Sequence, residues 1–523
     1  MKTVSTQKMR ELDRRTIQDY GIPGETLMDR AGLGVADVVD YVAKMWGYPD
    51  PPILLFAGRG NNGGDAFVAA RYLKEQGYQV DLSLACEAGR VTGDALSHLS
   101  RARRAGIEIR EFPDKPDWED MLAESRPPAG GIVIDGLLGT GTRGPARGPA
   151  AGAIQYINML AGRCLVVSID VPSGLNSDTG RAEGDAVKAD LTLTMGLPKQ
   201  GLTEPCALDY VGSVEVIDIG IPDELTAPIR SERELTTAED LRKLFGRRPR
   251  TAHKGNYGHL LVIAGAAGYA GAAAMACRAA LRSGVGLVSA LVPAGIAPTV
   301  AGLVPEAMVH AGPETGSGSP AADIIQHWDR NITDFDAVLL GPGMTTHLHT
   351  RHLVEWVLDN TAAPVVLDAD ALNVLAGETA RLARRSGPLI ITPHPAEMAR
   401  LLGATADEVQ SDRFGRAAQA AREAQCTVVL KGAGTIVAEP GKTPSLNLTG
   451  NPGMAKGGMG DVLAGLMAGM AGQGMAPYDA ARTAAYLHGR AADYAAWRSS
   501  QAGLTAGDVI DELANVFKEV SAR

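Results

Sequence analysis

The stretch FAGRGNNGGDAFVAARYL, Phe56 to Leu73, holds a G-x-G-x-x-G at Gly58, Gly60 and Gly63, between an apolar run and a helical pattern. Glycines placed there free backbone N–H groups at a helix N-terminus to face phosphate. Two details separate the stretch from the hydride-transfer fingerprint. Its tip is NNGGD, polar where close backbone packing is needed, and the candidate acid, Asp81, opens the next strand instead of closing it. Two further stretches, DGLLGTGTRGP (Asp135 to Pro145) and SIDVPSGLNSDTG (Ser168 to Gly180), place an aspartate at a strand's C-terminal end, ahead of glycine and hydroxyl residues. In a doubly wound sheet such ends converge on the ligand crevice. Asn62, Asp135 and Ser173 offer hard oxygen ligands with one negative charge, a set for a weakly charged cation and not for a transition metal. Asp170 is a carboxylate fixed at the same crevice, a natural proton acceptor.

A second constellation lies far downstream. In NLTGNPGMAKGGMGDVLAGLMAGM, Asn447 to Met470, a glycine-rich loop runs into a small-residue helix with Asp461 at its start. Backbone N–H groups there make an anion hole for a transferring phosphoryl group, and the carboxylate can accept a hydroxyl proton as that oxygen attacks phosphorus. No G-x-x-x-x-G-K-[ST] occurs, so a P-loop is not involved. VVLKGAGT (Val428 to Thr435) ends a strand in another glycine turn, suited to a nucleotide, while LDADALN (Leu367 to Asn373) and ITPHPAEMARLLG (Ile391 to Gly403) add polar groups at further strand ends. His347, His349 and His352 have no acid or cysteine at ligand spacing, and read as the start of a surface helix.

The elements that must position these groups are short apolar runs alternating with helical patterns. PILLFAG, QVDLSLA, GIVIDGLLG, CLVVSIDVPSG, ADLTLTMG and SVEVIDIG form one series; HLLVIAG, GLVSALVP, AVLLGPG, PVVLDAD, PLIITPH, CTVVLKGAG and TIVAE form a second. Each run ends in Gly, Asp, Ser or a similar breaker, which predicts buried parallel sheets. A charged stretch over 222–250 reads as a linker with one helix, so the chain is α/β with two domains. Length agrees, since 523 residues exceed one ordinary core. A formal charge of -10 leaves no basic surplus for nucleic acid. The five cysteines (Cys86, Cys164, Cys206, Cys277, Cys426) are scattered without C-x-x-C, as in reduced thiols. No apolar run reaches membrane-spanning length and the N-terminus is a charged helix, so a cytoplasmic protein with no membrane partner is expected.

The N-terminal segments, with ADLTLTMGLPKQGL, resemble the NAD(P)H-hydrate epimerases, the YjeF N-terminal family, over about residues 1–225. The resemblance implies a Rossmann-like three-layer domain that interconverts the R and S forms of NADHX and NADPHX, hydrated at carbon 6 of the nicotinamide ring. Carried over by position, it implies substrate contacts from Asn61, Asn62, Gly63, Gly64 and Asp65 and from Gly139, Thr140, Gly141, Thr142, Arg143, Gly144 and Pro145. K+ would lie on Asn62, Asp135 and Ser173, and Asp170 would bind substrate as acid/base. Lys199, in LPKQGL, is either a second polar group of the site or a solvated lysine. Ala66 stands where the family usually has Gly, a departure that matters only if φ is positive.

The second half, with HKGNYGHLLVIAG, PEAMV and LGPGM, resembles the ADP/ATP-dependent NAD(P)H-hydrate dehydratases over about residues 235–520. This implies a ribokinase-like α/β domain using ADP, or ATP, with Mg2+. The hydrate would meet Gly343 and His394, Pro395, Ala396, Glu397, Met398, Ala399 and Arg400. The nucleotide would fall on Lys431, Gly432, Ala433, Gly434 and Thr435, and on Asn451, Pro452, Gly453, Met454, Ala455, Lys456, Gly457, Gly458, Met459 and Gly460. Asp461 would be the catalytic acid. Lys456 replaces a frequent Thr, and its charge either aids phosphate or points to solvent. The expectation is a bifunctional nicotinamide-nucleotide repair enzyme, a homo-oligomer (tetramer or larger). The alternative is a ribokinase-fold vitamin kinase with a non-catalytic N-terminal binding domain.

Overall fold

The computed structural model describes all residues except 47–49, 125–129, 142 and 522–523. The chain forms two compact units, Met1–Leu235 and Thr236–Arg523.

In the first unit seven strands, β1 (Ile53–Ala57), β2 (Val80–Leu84), β3 (Ile109–Glu111), β4 (Ile132–Gly136), β5 (Leu165–Ile169), β6 (Leu191–Met195) and β7 (Ser213–Ile217), lie in the order β3-β2-β1-β4-β5-β6-β7. All neighbours are parallel. Every residue of β4, β5 and β6 is buried, so both sheet faces are covered, as in a doubly wound fold. Strand direction of growth reverses between β1 and β4, and the crevice outside their C-terminal ends is where such folds bind ligands. Behind it Phe56 packs on Trp118 and Tyr156, ring centroids 5.8 Å from each. The glycines of the loop have a steric cause. A Cβ on Gly58 would come 1.9 Å from the Leu137 carbonyl oxygen, and one on Gly63 would come 1.9 Å from that of Gly58. The loop is therefore packed against the end of β4, and the Asn61–Glu75 helix starts at the crevice. Ala66 sits inside that helix without positive φ, so replacing glycine there costs no strain.

The second unit repeats the scheme. Its strands run, from one edge, Met308–Gly312, Leu287–Pro293, His259–Ile263, Ala337–Leu340, Val365–Leu367, Leu389–Ile391, Thr427–Leu430, Thr435–Ala438 and Ser445–Asn447. The first seven are mutually parallel and the last two pair antiparallel. Four strands go beyond those expected from the sequence: Ile109–Glu111, Glu234–Leu235, Met308–Gly312 and Ser445–Asn447. The stretch expected to hold one helix has two short ones, Asp223–Thr226 and Ala238–Arg242. No helix among the described residues is long and apolar enough to cross a membrane.

Candidate functional site

In the first unit a cavity of about 750 Å3 opens at the β1/β4 crevice. Gly58, Gly60, Asn61, Asn62 and Asp65 line it from the glycine loop and its helix, with Gly139, Thr140 and Gly141 opposite. Gly63 and Gly64 are buried behind this wall, and Arg143, Gly144 and Pro145 are not part of it. Thr142 lies outside the described residues.

Asp135 is fully buried at the end of β4. Its carboxylate accepts from the Ser173 hydroxyl (2.5 Å) and amide (2.9 Å), from the Ser168 hydroxyl (2.9 Å) and from the Leu137 amide (3.2 Å). Burial raises its pKa and those donors oppose the rise. The Leu138 carbonyl accepts from Asn62 Nδ2 (2.9 Å) and from the Ser173 hydroxyl (3.2 Å), linking all three candidate cation ligands. The other amide atom, Asn62 Oδ1, is buried without a hydrogen-bond partner. An orphaned buried acceptor beside a carboxylate and a hydroxyl fits a cation such as K+.

Asp170 follows β5 with φ of 64°, a conformation non-glycine residues hold only where their surroundings enforce it. Its carboxylate is ion-paired to Lys199 Nζ and receives the Met195 amide at 3.3 Å. Lys199 is 1% exposed and also donates to Thr194 Oγ1 (3.1 Å) and the Met195 carbonyl (2.9 Å). The solvated-lysine reading is thus corrected: the ammonium is built into the cavity wall. Two more carboxyls join the pair. Asp65 is buried, and that burial, with Asp170 nearby, holds its pKa well above the usual range. Asp13, from the Thr6–Gln18 helix, lines the cavity too.

In the second unit, successive strand ends bring Asp368, Thr392 and Lys431 together. Asp368 Oδ1 accepts from Lys431 Nζ (2.7 Å) and Thr392 Oγ1 (2.6 Å). Burial alone would lower the Lys431 pKa, but Asp368, Glu397 and Asp461 together hold it above the ordinary value. A Cβ at Gly460 would stand 3.7 Å from Lys431 Nζ and 3.8 Å from Asp368 Oδ2, so the turn opening the Met459–Gly472 helix faces this pair. Asp461 in that first turn has its pKa pushed to about 7, chiefly by burial and then by Asp368, with Lys431 opposing.

The surrounding loops are pinned by residues to which sequence reasoning gave no role. Arg413 donates to the carbonyls of Leu430 (3.2 Å), Lys431 (3.3 Å) and Gly434 (3.0 Å), shaping the 431–435 turn. Asp493 accepts from the Gly450 amide and Asn451 Nδ2, each at 3.0 Å. Lys456 is exposed, and its Nζ donates to the carbonyls of Ala502 (2.6 Å) and Leu504 (2.7 Å). His394 caps the Pro395–Leu402 helix, its Nδ1 accepting from the Ala396 and Glu397 amides, while Glu397 returns the bond to the His394 amide. Met398 and Ala399 are buried, whereas His394 and Arg400 are exposed. Gly343 has φ of 63° and packs on Tyr269. His347 caps the Leu348–Asn360 helix, and no group of three or more His, Cys, Asp or Glu suited to a metal occurs among the described residues.

Comparison with known proteins accounts for both halves. Residues 24–201 match the family model described as YjeF-related protein N-terminus, and residues 260–515 match that of NAD(P)H-hydrate dehydratase. A bifunctional NAD(P)H-hydrate repair enzyme of Moorella thermoacetica is 40% identical over 527 residues, covering 99% of this chain and 97% of the relative. One from Coxiella burnetii is 36% identical over 508 residues, 97% of each chain. The crystal structure of an ADP/ATP-dependent NAD(P)H-hydrate dehydratase from Bacillus subtilis, co-crystallised with ATP and Mg2+, is 33% identical with a TM-score of 0.50, over 55% of this chain and 99% of its own.

Proposed function

The chain belongs to the bifunctional NAD(P)H-hydrate repair enzymes, and from that premise we propose which residues carry each half of the repair. The enzyme epimerises NAD(P)H hydrate and dehydrates it to NAD(P)H at the expense of ADP or ATP. A vitamin kinase with a binding-only first domain is not favoured, because relatives carrying both activities match the full length.

Residues 1–225 carry epimerisation and 235–520 dehydration. The loops Asn61 to Asp65 and Gly139 to Pro145 hold the substrate, with Asn61, Asn62, Asp65 and Gly139 to Gly141 facing it from the cavity wall and Asp170 as acid/base at carbon 6. The buried Lys199–Asp170 pair supports this, since ion pairs held in the wall of a ligand-sized cavity cluster at functional sites. Asn62, Asp135 and Ser173 would hold K+, whose charge would fix the loop bearing the substrate; the partnerless Asn62 Oδ1 supports it.

Dehydration needs a better leaving group than hydroxide. Asp461 takes the proton of the 6-hydroxyl as its oxygen attacks the terminal phosphorus, and the 451–460 loop holds the departing nucleotide. Phosphate then leaves with the C6–O bond while a proton is lost from C5, restoring the ring double bond. The substrate is placed against Gly343 and the 394–400 segment, and the nucleotide on 431–435. The nucleotide held by these loops would bring Mg2+ with it, and the ion would supply charge neutralisation of the phosphates. ADP is the preferred donor in this reading, tested by initial rates at matched ADP and ATP. Assembly as a homo-oligomer in the cytoplasm completes it, checked by light scattering and fractionation.

The observation that carries the assignment is the presence of two separate acid sites, one in each unit. Asp461→Asn should abolish nucleotide-dependent dehydration and spare epimerisation, and Asp170→Asn should do the converse, both followed by reduced-nicotinamide absorbance. Loss of both activities from either change in a folded protein rejects the assignment. Repeating the assay with Li+ for K+ should slow epimerisation alone; unchanged kinetics would remove K+ from the site.

A further inference from the structure

The Thr6–Gln18 helix stands outside the matched family stretch, which begins at residue 24, yet it forms one wall of the epimerase cavity. Met9, Arg10, Asp13 and Ile17 line that wall, positions that share one helix face. Its attachment is specific. Val4 N donates to the Pro198 carbonyl (2.9 Å) and the Gln200 amide donates to the Val4 carbonyl (2.9 Å), so the residue leading into the helix pairs with the backbone bearing Lys199. Thr6 Oγ1 meets Ser177 Oγ at 2.7 Å, and Arg10 donates to the Thr140 carbonyl at 3.1 Å, tying the helix to the loops on either side of Asp170. A helix anchored through its first half by the cavity's own loops carries Asp13 to a fixed place.

Asp13 Oδ1 is buried there with no hydrogen-bond partner. A buried carboxyl oxygen without a donor is costly unless the carboxyl keeps a proton or meets a ligand. The charged groups facing it are Lys199 from the turn after β6 and Asp170 from the end of β5; Asp65, on the Asn61–Glu75 helix, is in turn influenced by Asp13. Asp170 is occupied by its ammonium, whereas Asp13 is not paired with one among the described residues.

We propose that Asp13 is a second catalytic residue of the epimerase, the acid that protonates the departing 6-hydroxyl, with Asp170 receiving the proton of the returning water. The proposal rests on reading this cavity as the epimerase site. The step balances without a redox partner. The C6–O bond breaks, the oxygen takes the Asp13 proton and leaves as water, and the N1 lone pair forms C6=N1. Water then adds to the opposite face of C6, the electron pair returns to N1, and the surplus proton goes to Asp170. The reverse epimerisation starts from Asp13 ionised and Asp170 protonated. Burial, the largest influence on Asp13, raises its pKa to about 6, with Lys199 opposing and Asp170 adding, which favours the proton-bearing form.

The test uses the full chain with Asp13→Asn, measuring conversion of R-hydrate coupled to the chain's own dehydration. The variant should lose on the order of 100-fold or more in epimerase kcat, with KM near wild type. The wild-type fall in rate as pH rises through the Asp13 pKa should be missing from its residual activity. Wild-type kcat, or an equal loss in kcat and KM with the pH profile kept, overturns the proposal. If circular dichroism shows the Asn variant misfolded, Asp13→Glu decides: a displaced pH limb supports the role and an unmoved one overturns it. Asp170→Asn run alongside separates the two failures, because wild-type epimerisation in that variant too means the cavity itself was misassigned.

Discussion

Asp461 shows how one carboxyl's surroundings set both its chemistry and its cost. A base for the 6-hydroxyl must be ionised, and burial beside Asp368 pushes this group to about 7 against an ordinary 3.8. Dehydration kcat/KM should therefore rise as pH climbs through about 7, a limb that Asp461→Asn removes along with roughly 10²–10⁴ of the rate. Stability runs the other way. With the folded pKa raised, the group's contribution is fully present below pH 3.8 and is lost as pH rises through about 7. Nucleotide-free Asp461→Asn should thus melt above wild type at pH 8 and with no advantage near pH 4; equal melting at pH 8 rejects the shifted carboxyl. Asp461 was legible because a glycine loop running into a helix announces its own chemistry. Asp13 was not: it sits in a charged helix, and its neighbours Asp170 and Lys199 come from distant strand ends that no local pattern connects. Lys199 and Lys456 were ambiguous for the same reason, since partners such as Asp170 or the Ala502 and Leu504 carbonyls exist only once the chain is folded.

Helices and strands were easier to read than the contacts between them. Strands buried on both faces appear as apolar runs, whereas Ile109–Glu111 and Met308–Gly312 lie at sheet edges with exposed residues, and Ser445–Asn447 has only three residues to display. The small residues of the Met459–Gly472 helix predicted close packing without naming the partner, which is the Ala270–Arg282 helix. A Cβ on Gly465 would lie 2.1 Å from the Ala276 carbonyl oxygen, so Gly465→Ala must push these helices apart. Propensity opposes packing here: alanine favours an isolated helix by about 1 kcal/mol over glycine, while overpacking costs about 1–3 kcal/mol. Packing should win because the clash is with backbone, which has no rotamer to escape into. Asp461 lies one turn before Gly465 and moves with it. The expected outcome is a melting temperature of the second unit lowered by a few degrees, with dehydration impaired and epimerisation untouched. A raised melting temperature would mean the helices separate freely.

At the scale of the whole chain, the acids proposed for the two sites stand in separate units: Asp135 and Asp170 at the ends of β4 and β5 in the first, Asp368 after Val365–Leu367 and Asp461 in the first turn of the Met459–Gly472 helix in the second. The alternation of apolar runs made this two-unit plan visible in the sequence, because a parallel sheet must return through a helix after every strand. The chemistry then fixes how the sites cooperate. Only one epimer is dehydrated, the other is resupplied, and the shared intermediate is a stable molecule with no covalent tether to either site. Two chains each lacking one activity should therefore repair an epimer mixture together. Asp170→Asn alone should consume the S-hydrate and stall on the R form, apart from its slow spontaneous epimerisation, and Asp461→Asn alone should form no reduced nicotinamide. Mixed at equal concentration, with nucleotide and K+, they should convert the whole mixture at the rate of the same concentration of wild-type sites. Absorbance of the reduced nicotinamide followed to completion reads the result. A mixture that still stalls at the R-hydrate, although both variants keep their single activities, would show that the intermediate must pass within one molecule and would reject independent sites.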